Sequence, residues 1–149
     1  MGDADPTEWA RRRSEAAQAQ ADRLARRQEL ESERARELLR SFVAEARRRG
    51  IGSRPLLARA GDGPPTYRTG LEGWYLTRDG AVGVDVEGRY YLLASPKSLR
   101  FRLLGVTVPP SDPPLQVGAG GRDGESIALD ALLTLRLEAG DAWQVAGSS

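Results

Sequence analysis

A chain of 149 residues with 40% hydrophobic and 29% charged residues is globular in composition, and long enough for one domain with an appendage or for one large domain. Its net charge of +1 provides no global field that would favour nucleic acid or an anionic membrane. The absence of cysteine and histidine excludes disulfides, thiolate catalysis, Cys-based zinc sites and any Ser-His-Asp triad.

Every basic residue except Lys97 is arginine. With the abundant Ala and Gly, this reads as the coding bias of a GC-rich bacterial genome. No stretch approaches the roughly 20 apolar residues of a membrane span. Residues 1–9 are acidic and lack the apolar core of a signal peptide. The expected compartment is the cytosol, and no cofactor or metal is expected.

Residues 1–50 predict one long helix. Asp5 can N-cap it, Pro6 suits its first position, and Glu8 lies three residues after Asp5 as in a capping box. Ala, Arg, Glu, Gln and Leu dominate up to Arg47, Arg48 and Arg49, and Gly50 then stops the helix. About 43 residues at about 1.5 Å each give roughly 65 Å, more than a domain of about 100 residues can cover.

The two halves of this helix differ. Ala35, Leu38, Leu39, Phe42, Val43 and Ala46 form a dense stripe at helical spacing, which predicts docking on the rest of the chain. Upstream, Ala10, Ala17, Ala21 and Leu24 follow a heptad-like register that breaks at Gln28 and Glu31. Opposite charges at helical spacing, such as Glu8–Arg12, Asp22–Arg26 and Glu45–Arg49, are expected to support an exposed surface.

Residues 51–72, punctuated by Gly and Pro, read as a connector, with at most a short turn over residues 55–60. A compact domain then follows over residues 73–140. Residues 74–77, 81–86 and 89–94 are β-rich runs separated by Asp79-Gly80 and Glu87-Gly88, which are hairpin signals. Val82, Val84 and Val86 give the middle run one apolar face.

Leu99, Phe101 and Leu103 alternate with Arg100 and Arg102 in a fourth strand. Gly105 interrupts it, and residues 106–108 continue it. After a Pro-rich spacer, residues 115–117 suit a short edge strand, and residues 127–137 read as a helix capped by Asp123 or Ser126. Residues 141–149 form a tail that Trp143 and Val145 can pin.

The fold class is therefore α+β: a long N-terminal α-helix, an antiparallel meander of four to five strands, open or curled into a small barrel, and a short C-terminal helix. Residues 88–93, followed by Leu99-Arg100-Phe101-Arg102, resemble the strand pair of WYL-type small barrels. That resemblance implies no site residue here.

Chemistry-bearing constellations are sparse. The segment 118–126 offers Gly120, Gly121 and Arg122 as a weak anion-binding turn, since glycines before a helix N-terminus can cradle phosphate. It lacks the Gly-Lys-Ser/Thr of a P-loop and the spacing of a dinucleotide fingerprint. A capped turn is the plainer reading. Ser95, Lys97 and Ser98 read as a polar loop. Asp123, Glu125 and Asp130 lack the alternation of a calcium loop. Arg100 and Arg102, with Tyr75 or Tyr91 beside them, would suit a nucleic-acid platform. However, residues 1–50 balance 12 Arg against 10 acids, so nucleic acid ranks below protein as a partner.

The expected function is that of a non-enzymatic binding, adaptor or assembly protein. Its N-terminal helix would meet a protein partner, or a second copy in a homo-oligomer. Trp9, Ala17, Ala21 and Leu24 are the expected contacts. Self-association suits an antiparallel, coiled-coil-like pair, because alanines allow close approach.

Overall fold

The computed structural model describes residues 5–60, 65–94, 100–102, 105–118, 125–143 and 145. Helix α1 spans Pro6–Arg48. The Asp5 carboxylate accepts the Thr7 N–H at 3.1 Å, while Glu8 turns instead to Arg11 and Arg12. At the other end Gly50 N–H donates to the Arg47 carbonyl and Ile51 N–H to that of Ala46, at 3.0 and 2.9 Å. This is a Schellman stop, closed by burial of Ile51 and Ala46.

Four antiparallel strands follow one another in space as in sequence: β1 (Arg54–Arg59), β2 (Thr66–Tyr75), β3 (Val82–Asp85) and β4 (Tyr90–Leu92). Two short hairpins flank them. One pairs β5 (Arg100–Arg102) with β6 (Gly105–Thr107), the other β7 (Gln116–Gly118) with β8 (Ser126–Ala128). Helix α2 is Leu129–Ala139. The α+β class and its long leading helix are thus as the sequence predicts.

The sheet is covered on both faces. Trp74, Leu76, Val82, Val84 and Tyr90 pack on Ala35, Leu39, Phe42, Val43 and Ala46 of α1 and on Leu129, Leu132 and Leu133 of α2. Leu56, Ala58, Tyr75, Tyr91 and Leu93 face the other way, onto Val106, Val108, Trp143 and Val145. The apolar face expected for β3, Val82 and Val84, packs on the helices, and Gly83 and Asp85 on its opposite face are buried as well. The guanidiniums of Arg78 and Arg136 both lie over the Trp143 ring, at 4.3 and 5.3 Å from its centroid. Arg136 is itself buried, donating to the carbonyls of Tyr75 and Gly140 at 2.8 and 2.7 Å.

The two central turns share one design. Gly80 N–H donates to the Thr77 carbonyl and Gly88 N–H to the Asp85 carbonyl, and each glycine has positive φ. No other residue in either turn does, so these are type I turns closed by a left-handed glycine, not two-residue type I′ turns.

Several boundaries differ from the sequence reading. The connector 51–72 holds β1 and most of β2. Pro55 is tolerated because β1 is an edge strand, and its pairing with β2 shifts register between Pro55 and Leu57. The Thr69 hydroxyl fills that irregularity by donating to the Leu56 carbonyl at 2.6 Å. The strand expected to run through Gly105 folds back as β5–β6. At Gly105 a Cβ would lie 2.3 Å from the Arg68 carbonyl oxygen, so this backbone is pressed against β2. Ile127 belongs to β8, and α2 starts at Leu129 with Ala128 at its cap and no side-chain bond there.

Among the described residues the strands form no closed barrel. The Arg59 N–H donates to the carbonyl of Leu93, just past β4, at 2.8 Å and brings the ends of β1 and β4 together. β4 and β5, the pair with the barrel resemblance, lie in different sheets.

Candidate functional site

Residues 5–30 are all exposed, and those from Pro6 on make about 38 Å of helix at about 1.5 Å per residue. Local pairs support this half: Arg12–Glu8 at 3.2 Å, Arg11 near Glu8 and Glu15 at 4.0 and 3.9 Å, and Gln18 donating to Asp22 at 3.0 Å. The expected Asp22–Arg26 ion pair is absent. Arg26 Nε donates instead to the Asp22 backbone carbonyl at 3.4 Å. Glu45–Arg49 forms as expected, at 2.8 Å.

At about 100° per residue, Ala17, Ala21 and Leu24 lie in line with Ala35, Leu39, Phe42 and Ala46. They continue the docked face beyond the domain. Trp9 is brought to one side of that line. It is 54% exposed, and the Arg13 guanidinium stacks 4.6 Å from its ring centroid. Leu30, 66% exposed, escaped the sequence reading because it points away from this face.

The break at Gln28 and Glu31 has a physical meaning. Glu31 accepts the Leu115 N–H at 3.1 Å, and Arg36 pairs with Asp112 at 2.8 Å. The register turns polar where the helix meets the rim of the domain. The sequence signal was a carboxylate where the heptad register expects an apolar residue.

Gly120, Gly121 and Arg122 lie outside the described residues, as do Ser95, Lys97 and Ser98. The flanks of the Gly-rich segment pair as β7 and β8, so a strand separates it from the N-terminus of α2. Tyr75 and Tyr91 are buried and offer no ring beside Arg100 for a stacked base. No group of three acidic side chains is placed to hold a metal among the described residues. A cleft of about 250 Å³ is lined by Arg36, Gly88, Arg89, Tyr90 and residues 110–113. Its cations are already paired, Arg36 with Asp112 and Arg89 with Asp85 and Glu87.

No helix of the described residues is long and apolar enough to cross a membrane. Comparison of the chain with protein-family models, curated proteins and solved structures gives no match.

Proposed function

We propose that this protein is a non-enzymatic adaptor or assembly factor whose α1 pairs with a helix of another chain, either a partner protein or a second copy. One observation carries this reading. The face of α1 that buries Ala35, Leu39, Phe42 and Ala46 continues through Leu24, Ala21 and Ala17, and there no described residue covers it. Isolated helices gain little from propensity alone, and an amphipathic face is what tertiary or quaternary packing rewards. The apolar area is modest, below that of a standard interface, so pairing is expected to be weak or transient unless the partner adds surface.

Changing Ala21 and Leu24 together to Glu is expected to abolish pairing and leave the domain's melting transition unchanged. Sedimentation of both forms over a range of concentrations checks self-association, and co-purification from the native host checks a partner. A wild-type chain that stays monomeric and retains no partner would overturn the reading.

A chain lacking residues 1–30 is expected to melt cooperatively at nearly the wild-type temperature, because docking starts at Glu31. A molten or insoluble product in calorimetry would place the upstream half in the folding unit.

A further inference from the structure

We infer that the occupant of the bare face of α1 is a helix of a different protein, bearing acidic residues along both flanks of its own apolar seam. The inference rests on the pairing role proposed above and adds the chemistry of the partner.

In heptad terms the bare seam is Ala10, Ser14, Ala17, Ala21, Leu24 and Gln28. Positions beside such a seam decide which partner is accepted. On one side these are Arg13, Gln20 and Arg27, and on the other Arg11, Gln18 and Ala25. No acid stands at any of them. Glu8, Glu15, Asp22 and Glu29 share a line farther round the helix. Arg13 and Arg27 form no ion pair with any described residue, and Arg11 has only the long contacts to Glu8 and Glu15. The face is locally basic although the helix as a whole is nearly balanced.

A second copy fits this arrangement poorly. Run parallel past Glu31, its helix would meet the segment carrying Asp112 and Leu115, which already closes the docked half. Run antiparallel, it would layer Ala17 on Ala21 and Ser14 on Leu24, and the two domains would sit at opposite ends. That register also sets Arg13 against Arg27 of the second copy, twice. Like charges facing each other oppose pairing, and one leucine per chain supplies little to offset them. Glu or Asp at a partner's flanking positions would instead meet Arg11, Arg13 and Arg27.

The test uses the full chain and two synthetic helical peptides of about 25 residues, the length of the bare segment. Both carry Ala and Leu at the seam; one has Glu at every flanking position and the other Lys. In titration calorimetry at low ionic strength, the Glu peptide is expected to bind about tenfold more tightly than the Lys peptide. The order is expected to reverse for the chain carrying Arg13→Glu and Arg27→Glu, a gain of binding that an unfolded variant would not show. Equal affinity for the two peptides, or no binding of either, would overturn the inference. A concentration-dependent wild-type dimer, lost in the Ala21/Leu24 double variant and unaffected by either peptide, would also sink it, yet leave helix pairing standing. A chain that neither dimerises nor binds either peptide, and retains no partner on co-purification, would sink both.

Discussion

Replacing Phe42 with Ala is expected to destabilise the fold by about 3–5 kcal/mol. Phe42 is 2% exposed and meets Trp74 edge-on, with ring centroids 6.0 Å apart. Trp74 in turn donates its indole N–H to the Ile51 carbonyl at 3.1 Å, which fixes the exit of α1 over the sheet. Truncation at Phe42 therefore leaves a cavity at the junction of helix, sheet and helix stop, where none of the three can collapse without moving the others. Urea unfolding with an unchanged m-value is the expected readout. Phe42→Leu is expected to lose less, since most of the volume remains. A loss under about 1 kcal/mol for the alanine variant would mean that the stripe does not dock as described.

Phe42 also shows why the helix was legible in the sequence. Its periodicity is local and its caps are chemical, so Asp5, Pro6 and Gly50 mark its bounds from sequence alone. The sheet was only half legible. β3 and β4 carried alternating apolar residues around glycine turns. β1 and the start of β2 did not, because an edge strand with Pro55 and an irregular pairing at Thr69 looks like a linker until its partner is known. Burial of both sheet faces was hidden for a similar reason. Val106, Val108, Trp143 and Val145 come from distant segments, and only the fold brings them under Tyr75 and Tyr91. At the candidate site the residues were legible, but the meaning of Glu31 was not: its hydrogen bond to Leu115 spans 84 positions.

Asp85 is the second residue whose loss is expected to be severe, and it is a polar one. Asp85→Ala is expected to cost about 2–4 kcal/mol at neutral pH, because several donors lose their acceptor at once. Oδ1 accepts the backbone N–H groups of Glu87 and Arg89 at 3.0 and 2.9 Å. Oδ2 accepts Arg89 Nε at 2.8 Å and the Tyr91 hydroxyl at 2.9 Å. Together these bonds define the β3–β4 turn and hold the buried end of β4.

Burial by itself pushes the Asp85 carboxyl up. The backbone and side-chain bonds from Arg89, the Tyr91 hydroxyl and the Glu87 N–H outweigh it and hold the group below its ordinary 3.8. The Tyr91 hydroxyl is pushed up to about 12, first by burial and then by its bond to Asp85, so it keeps donating throughout the neutral range. A carboxyl lowered on folding contributes stability that is complete above its unfolded value and lost as pH falls through its folded value. Asp85→Asn keeps the shape and one acceptor oxygen but removes the titration. Its stability deficit relative to wild type is expected to stay constant from about pH 5 to 8 and to shrink below about pH 4. Chemical denaturation of the two proteins at a series of pH values measures that difference directly, with every other acid common to both. A deficit that stays constant down to pH values where the wild type itself unfolds would show that the turn is held by shape, and not by the charge of Asp85.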